Sequence, residues 1–244
     1  MEIKLTNLND LKIKIFADGA DSKDILELNQ NKLISGFTTN PSLMRKSGVT
    51  NYKNFAIEIL KQVKDKPISF EVFDDEITIM EKQAYEIASW GNNVNVKIPI
   101  TNTKGDSTSD IIKKLSNDRV ICNITAIFTI DQVKQVIDVL SVKTTSIISV
   151  FAGRIADTGL DPIPLMKDSL SIIKQNPQSN LLWASPREML NIFQANQIGC
   201  DIITVGKDII NKFSSVDKNL ELFSLETVKM FYNDAQKAGY KIFD

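Results

Sequence analysis

The stretch VNVKIPI, residues 94–100, sets a lysine in the middle of an otherwise apolar, β-branched run. Side chains alternate between the two faces of a strand, so Val94, Val96 and Ile98 share one face while Asn95 and Lys97 share the other. A buried ammonium without a partner is costly, and the Lys97 face must therefore look onto polar company. Similar short runs recur along the chain: IKIFAD (13–18), ISGFTTN (34–40), ISFEVF (68–73), VICNIT (120–125), SIISVF (146–151), NLLWAS (180–185) and CDIITV (200–205). With VNVKIPI they make eight strands.

Between the strands lie segments with apolar residues at the three-and-four spacing of a helix that buries one face. They are SKDILELNQNK, NYKNFAIEILKQVK, TIMEKQAYEIASW, SDIIKKLSN, TIDQVKQVIDVLS, PLMKDSLSIIKQN, PREMLNIFQANQI and KDIINKFSS. Alternation of strand and helix predicts a parallel sheet with helices outside it. Eight such units in 244 residues fit a (β/α)8 TIM barrel. A doubly wound open sheet is the alternative, but it usually carries a glycine-rich turn after its first strand; here that turn reads ADGAD, and no GxGxxG occurs. The segment LELFSLETVKMFYNDAQKAGYKIF (220–243) reads as an additional C-terminal helix, in an extension from about residue 217, that either covers the barrel or packs on another subunit. No linker or repeat interrupts the pattern, so residues 1–244 are read as one domain.

Hydrophobic residues make up 43% and charged residues 24%, with a formal net charge of −1 and no basic run, which points away from nucleic acid as a partner. The N-terminal MEIKLTNLNDLKIKIFADG lacks the apolar core of a signal peptide, and no segment approaches the roughly 18 apolar residues of a membrane span. The expected location is the cytoplasm, with no membrane partner. Cys122 and Cys200 sit at the edges of apolar runs and are expected to be reduced. The absence of histidine from the sequence excludes Ser-His-Asp triads, Cys-His pairs, histidine-ligated zinc and imidazole acid–base chemistry. Carboxylates, lysine, hydroxyls or a bound cofactor must carry any reaction.

Polar residues stand late in one strand after another: Asp18, Thr38 with Asn40, Glu71, Lys97, Asn123 with Thr125, Ser149 and Ser185. Lys97, Asn123 and Ser149 follow at equal intervals, one strand–helix unit per step. Each residue has a plain structural reading. Asp18 before Gly19 can be a turn residue or cap, Asn40-Pro41 a turn with Ser42 capping the next helix, and Ser185-Pro186 a cap with proline at the first helical position. Glu71 can be one half of a structural ion pair, Lys97 a structural charge bonded to a carboxylate, and Asn123 and Thr125 can satisfy each other. Independent accidents would not all choose one end of the barrel, and it is the C-terminal end where barrel enzymes place their sites.

A lysine walled by apolar groups can shed its proton, attack a carbonyl and form an imine, which then stabilises a carbanion on the next carbon without a metal. Asp18 and Glu71 are the available proton carriers. Arg154 in FAGR, with Ser185 and Arg187 in ASPRE, predicts an anion site on the loops after the late strands, so a phosphorylated substrate.

These segments resemble the transaldolase family from Asp18 to about Thr204. GFTTNPSLM (36–44) is similar to its signature, VNVKIPIT (94–101) to its Schiff-base lysine segment, CNITAIF (122–128) to its Asn-x-Thr strand, and SVFAGRI (149–155) and WASPRE (183–188) to its phosphate segments. The resemblance implies a (β/α)8 barrel that transfers a dihydroxyacetone unit between sugar phosphates, without metal or cofactor. It implies Lys97 as nucleophile, Asp18 as acid/base, and Glu71 with Thr125 positioning the catalytic water. Asn40, Asn123, Ser149 and Phe151 would bind substrate, and Arg154, Ser185 and Arg187 its phosphate. The family's fructose-6-phosphate aldolases place glutamine where this chain has Glu71 and tyrosine where it has Phe151, so both positions resemble the transferases. The chain departs from the family pattern in SVFAGR, which lacks a frequent proline, and in WASPRE, where a proline precedes Arg187 and fixes the backbone.

Overall fold

A computed structural model describes residues 7–243; the first six residues of the N-terminal stretch read for a signal peptide, and Asp244, lie outside the described residues. Eight strands, β1 (Lys14–Asp18), β2 (Ile34–Thr38), β3 (Ile68–Glu71), β4 (Val94–Pro99), β5 (Cys122–Ile127), β6 (Ser146–Val150), β7 (Ser179–Trp183) and β8 (Ile202–Gly206), pair in chain order and all in parallel. β8 pairs back onto β1, which closes the barrel. The eight strands coincide with the predicted runs to within a few residues.

The alternation within each strand separates two interiors. Outward residues such as Val94, Val96 and Ile98 on β4, Phe37 on β2, Phe70 on β3 and Trp183 on β7 join the large core between sheet and helices. Inward residues Phe16, Ile147, Leu182, Ala184 and Ile202 form a second, smaller apolar cluster. Gly36 makes room for it, because a Cβ there would stand 2.7 Å from the Phe16 ring. Cys122 and Cys200 are free thiols buried in the outer core, and burial pushes both up to about 12.

Around the barrel run α1 (Ser22–Asn29), α2 (Pro41–Lys46), α3 (Tyr52–Gln62), α4 (Ile77–Ala88), α5 (Ser109–Asn117), α6 (Ile130–Val139), α7 (Ala152–Ala156), α8 (Pro162–Ile173), α9 (Leu190–Gln197), α10 (Lys207–Ile210) and α11 (Leu220–Ala238). Their starts follow local chemistry: Asp21, Asn51 and Asp161 cap α1, α3 and α8 through side-chain oxygens, and Thr129 with Gln132 forms a capping box on α6. Two helices, α2 and α7, are additions to the predicted set; both are too short to show a periodic face. The cap of α2 is Asn40, not Ser42: Asn40 Oδ1 accepts from Leu43 N at 3.0 Å, with Pro41 in the first turn. Ser185 is likewise not a cap. It adopts φ +61° and α9 starts only at Leu190, so Pro186 does not open that helix.

The additional C-terminal helix is present as α11, yet none of its residues is buried. Leu222, Leu225, Val228, Phe231 and Tyr232 are each about half exposed or more. The helix does not cover the barrel. Among the described residues, no helix is long and apolar enough to cross a membrane.

Candidate active site

Lys97 lies on β4 beside Glu71 of β3 and Asn123 of β5 in the parallel register. It is only 7% exposed, and its Nζ stands 3.1 Å from Glu71 Oε2 while donating to the Thr39 carbonyl at 3.1 Å. The expected inward direction of this side chain and its need for polar partners are thus both met. A buried ion pair of this kind is held by its geometry, since removing either member leaves the other charge stranded at a cost of about 3–5 kcal/mol.

A second network continues around the wall. Ser149 Oγ donates to Asn123 Oδ1 at 2.6 Å, and Asn123 Nδ2 donates to Ser69 Oγ at 3.0 Å, which ties β6, β5 and β3 together inside the barrel. Asn123 therefore answers to Ser149 and Ser69, not to Thr125. Thr125 Oγ1 is buried, has no hydrogen-bond partner among the described residues and lines the cavity. The chain kinks directly after it, at Ala126 with φ +60°, where the β5–β6 register shifts.

Asp18, at the end of β1, accepts from Thr38 Oγ1 at 2.7 Å, and Thr38 Oγ1 lies 2.5 Å from Thr204 Oγ1. With the Thr38 proton committed to Asp18, Thr204 is the donor in the second bond. Burial raises Asp18 above the ordinary carboxylate range, while the Lys97 charge and the Thr38 bond oppose that shift.

Asp18, Asn40, Lys97, Asn123, Thr125, Ser149, Phe151, Arg154 and Ser185 all line one cavity of about 90 Å³ at the C-terminal ends of the strands. Glu71 reaches it through Lys97. Arg154, on the exposed side of α7, holds its guanidinium 5.5 Å from the centre of the Phe151 ring. The loop bearing Ser185 is pressed onto the start of α7: Gly153 N donates to the Ala184 carbonyl at 3.2 Å, and a Cβ at Gly153 would lie 1.5 Å from the Ser185 carbonyl oxygen. Only glycine fits there.

Arg187 is placed apart from the other predicted site residues. It stands outside the cavity lining, with its Nε donating to Asp157 Oδ1 at 2.9 Å and its second nitrogen to Oδ2 of the same carboxylate. Arg187 and, more weakly, Arg154 hold Asp157 below the usual carboxylate range. Sequence reading missed three contributors: Thr204 of β8, Ser69 of β3 and the Thr39 carbonyl. The first two share the inward parity of their strands and were open to the same alternation argument as Lys97; a backbone carbonyl leaves no such trace.

The family model described as transaldolase/fructose-6-phosphate aldolase matches residues 15–242. A probable transaldolase of Dehalococcoides mccartyi is 36% identical over 194 residues, covering 79% of this chain and 86% of the relative. A probable transaldolase of a Thermoanaerobacter species is 32% identical over 238 residues, covering 94% of this chain and all of its own length. Among solved structures, a dihydrodipicolinate synthase from Rhodopseudomonas palustris superposes with a TM-score of 0.58 at 13% identity, over 93% of this chain and 82% of that one, a likeness of fold alone. On the match across nearly its whole length and on these relatives, the chain belongs to the transaldolase/fructose-6-phosphate aldolase family.

Proposed function

We propose that the chain is a transaldolase that carries a dihydroxyacetone unit on Lys97 from a ketose phosphate, sedoheptulose 7-phosphate or fructose 6-phosphate, to an aldose phosphate. The observation that supports this most is the buried Lys97 ammonium, 3.1 Å from Glu71 and lining one cavity with Asp18 and Arg154. After passing its proton to a neighbouring carboxylate, the amine attacks the ketose carbonyl. The carbinolamine loses water to give the imine, with Glu71 trading protons and the unpartnered Thr125 hydroxyl orienting the water. Asp18 takes the proton of the C4 hydroxyl as the C3–C4 bond breaks, the electron pair passes into the imine, and the shortened aldose phosphate leaves. The resulting enamine attacks the acceptor aldehyde, Asp18 returns the proton, and hydrolysis frees Lys97. The raised Asp18 suits both halves of this exchange, since it lowers the cost of holding the proton near neutral pH. Asn40, Asn123, Ser149 and Phe151 hold the donor, while Arg154, Ser185 and, once released from Asp157, Arg187 hold the phosphate.

Borohydride reduction in the presence of fructose 6-phosphate, followed by peptide mass spectrometry, should place a three-carbon adduct on Lys97; an unlabelled lysine with every ketose phosphate tried would refute the reading. Glu71 and Phe151 favour transfer over the aldolase reaction, so little free dihydroxyacetone should appear when no acceptor is supplied. We further infer that α11 packs against a second copy of the chain, because the spacing of Leu222, Leu225, Val228 and Tyr232 makes an apolar stripe that no described residue covers. Light scattering on the full chain should give a mass above 27.3 kDa, and a chain cut at residue 216 should give a smaller assembly.

A further inference from the structure

The bonds that hold Lys97 and Glu71 together depend on two missing rungs between β2 and β3. In a parallel ladder the strands exchange bonds at regular steps. Thr39 N donates to the Ser69 carbonyl at 3.1 Å, so the next two rungs would run from Glu71 N to the Thr39 carbonyl and from residue 41 to the Glu71 carbonyl. Neither forms. Residue 41 is a proline with no N–H to give, and the Thr39 carbonyl is occupied by Lys97 Nζ at 3.1 Å. Glu71 is thereby left with a backbone donor and a backbone acceptor facing the same gap, and an orphaned pair in a partly buried place is expensive.

Tyr52, in the first turn of α3, fills the gap. Its hydroxyl accepts from Glu71 N at 2.7 Å and donates to the Glu71 carbonyl at 2.9 Å. Burial, which raises the Tyr52 hydroxyl, keeps its proton in place for that donation. The ring is fixed in turn by edge-on contacts with Phe70 and Phe73, at 6.2 Å and 5.3 Å between centres, and by Trp90 at 5.7 Å. Tyr52 does not line the cavity.

We propose that Tyr52 is a positioning residue of the reaction centre: its hydroxyl replaces the two backbone bonds that β2 withholds from Glu71, and so frees the Thr39 carbonyl to hold Lys97 beside the Glu71 carboxylate. The inference rests on Lys97 being the nucleophile. Without the hydroxyl, Glu71 N recaptures the Thr39 carbonyl, β2 and β3 draw together, and Lys97 loses one of its two anchors.

Tyr52→Phe keeps the ring contacts and removes only the hydroxyl. In the full chain kcat should fall about 10–100-fold, the scale of a misplacement near 1 Å, while KM for fructose 6-phosphate changes less than about threefold. The rate of borohydride trapping on Lys97 should fall with kcat. A rise in KM with kcat and trapping unchanged would overturn the proposal, since a merely structural tyrosine has no reason to act on the chemical step alone. If Tyr52→Phe does not fold, 3,5-difluorotyrosine at position 52 decides: a weaker acceptor in the same place should lower kcat severalfold, and an unchanged kcat overturns the idea. A native chain that traps no adduct at all sinks the transaldolase reading and this inference together, whereas a native chain that traps and a Tyr52→Phe chain that traps equally fast sinks this inference alone.

Discussion

On the side of the cavity built by β2 to β6, Lys97, Glu71, Asn123, Ser69 and Ser149 are each bonded to another buried group. On the side built by the loops after β6 and β7, Arg154 reaches in from the exposed side of α7 against a phenylalanine ring, and Arg187 is turned away onto Asp157. The first side fixes atoms before any ligand arrives. The second offers positive charge on movable stems, and a phosphate would have to gather it. Such a division suits a reaction in which the reacting carbons demand accurate placement while the far end of the sugar needs only an anchor.

The largest effect should come from breaking the fixed side at its centre. Lys97→Met is expected to lower transfer activity at least about 10⁴-fold and to abolish borohydride labelling, as loss of a nucleophile does. Next in size, Asp18→Asn should cut kcat about 10²–10⁴-fold and at the same time stabilise the fold at pH 7. The sign follows from the raised Asp18: the native state holds that proton more tightly than the unfolded chain, so ionisation costs stability as pH rises through the window above the ordinary value of 3.8. The amide escapes that cost. Thermal melts should show Asp18→Asn above the native chain at pH 7, with the gap closing as the pH falls below the ordinary value.

Effects on the movable side should be smaller and fall on binding. Arg154→Ala should raise KM for fructose 6-phosphate about 10–100-fold, the worth of hydrogen bonds to a charged group, with kcat changed only severalfold. Unphosphorylated fructose should not notice the change, and an equal loss with both sugars would dissolve the contrast between the two sides. Smallest of all, Asp157→Asn releases Arg187 from an exposed pair worth about 0–1 kcal/mol, and KM for the phosphorylated sugar should drop by no more than about fivefold. A rise instead would mean that Asp157 helps to aim Arg187.

Much of this arrangement was legible in the sequence because strand alternation carries it. Parity alone turns Lys97, Asn123 and Ser149 inward and Val96, Ile124 and Ile148 outward, and the strand–helix rhythm does the rest. What escaped has a common cause in links that join distant segments or need no period. The helices α2 and α7 are too short for a stripe. Ser185 looks like a cap beside Pro186, but close packing of Gly153 against its carbonyl pulls the loop into a left-handed turn instead. Arg187 reads as an anion ligand, and its bond to Asp157, thirty positions earlier, leaves no trace in the sequence. Tyr52 reads as one more aromatic on a helix, and only the missing rung beside Pro41 gives its hydroxyl a task.

The apolar plug of Phe16, Ile147, Leu182 and Ile202, admitted by the bare backbone at Gly36, closes the barrel beneath the lysine and leaves it a cup rather than a pipe. A cup has a single doorway. In the proposed transfer between two sugar phosphates, the first product must leave by the way the acceptor enters, so the two sugars would take turns while the lysine holds the three-carbon unit in between. Steady-state rates measured at several fixed acceptor concentrations should then plot as parallel lines.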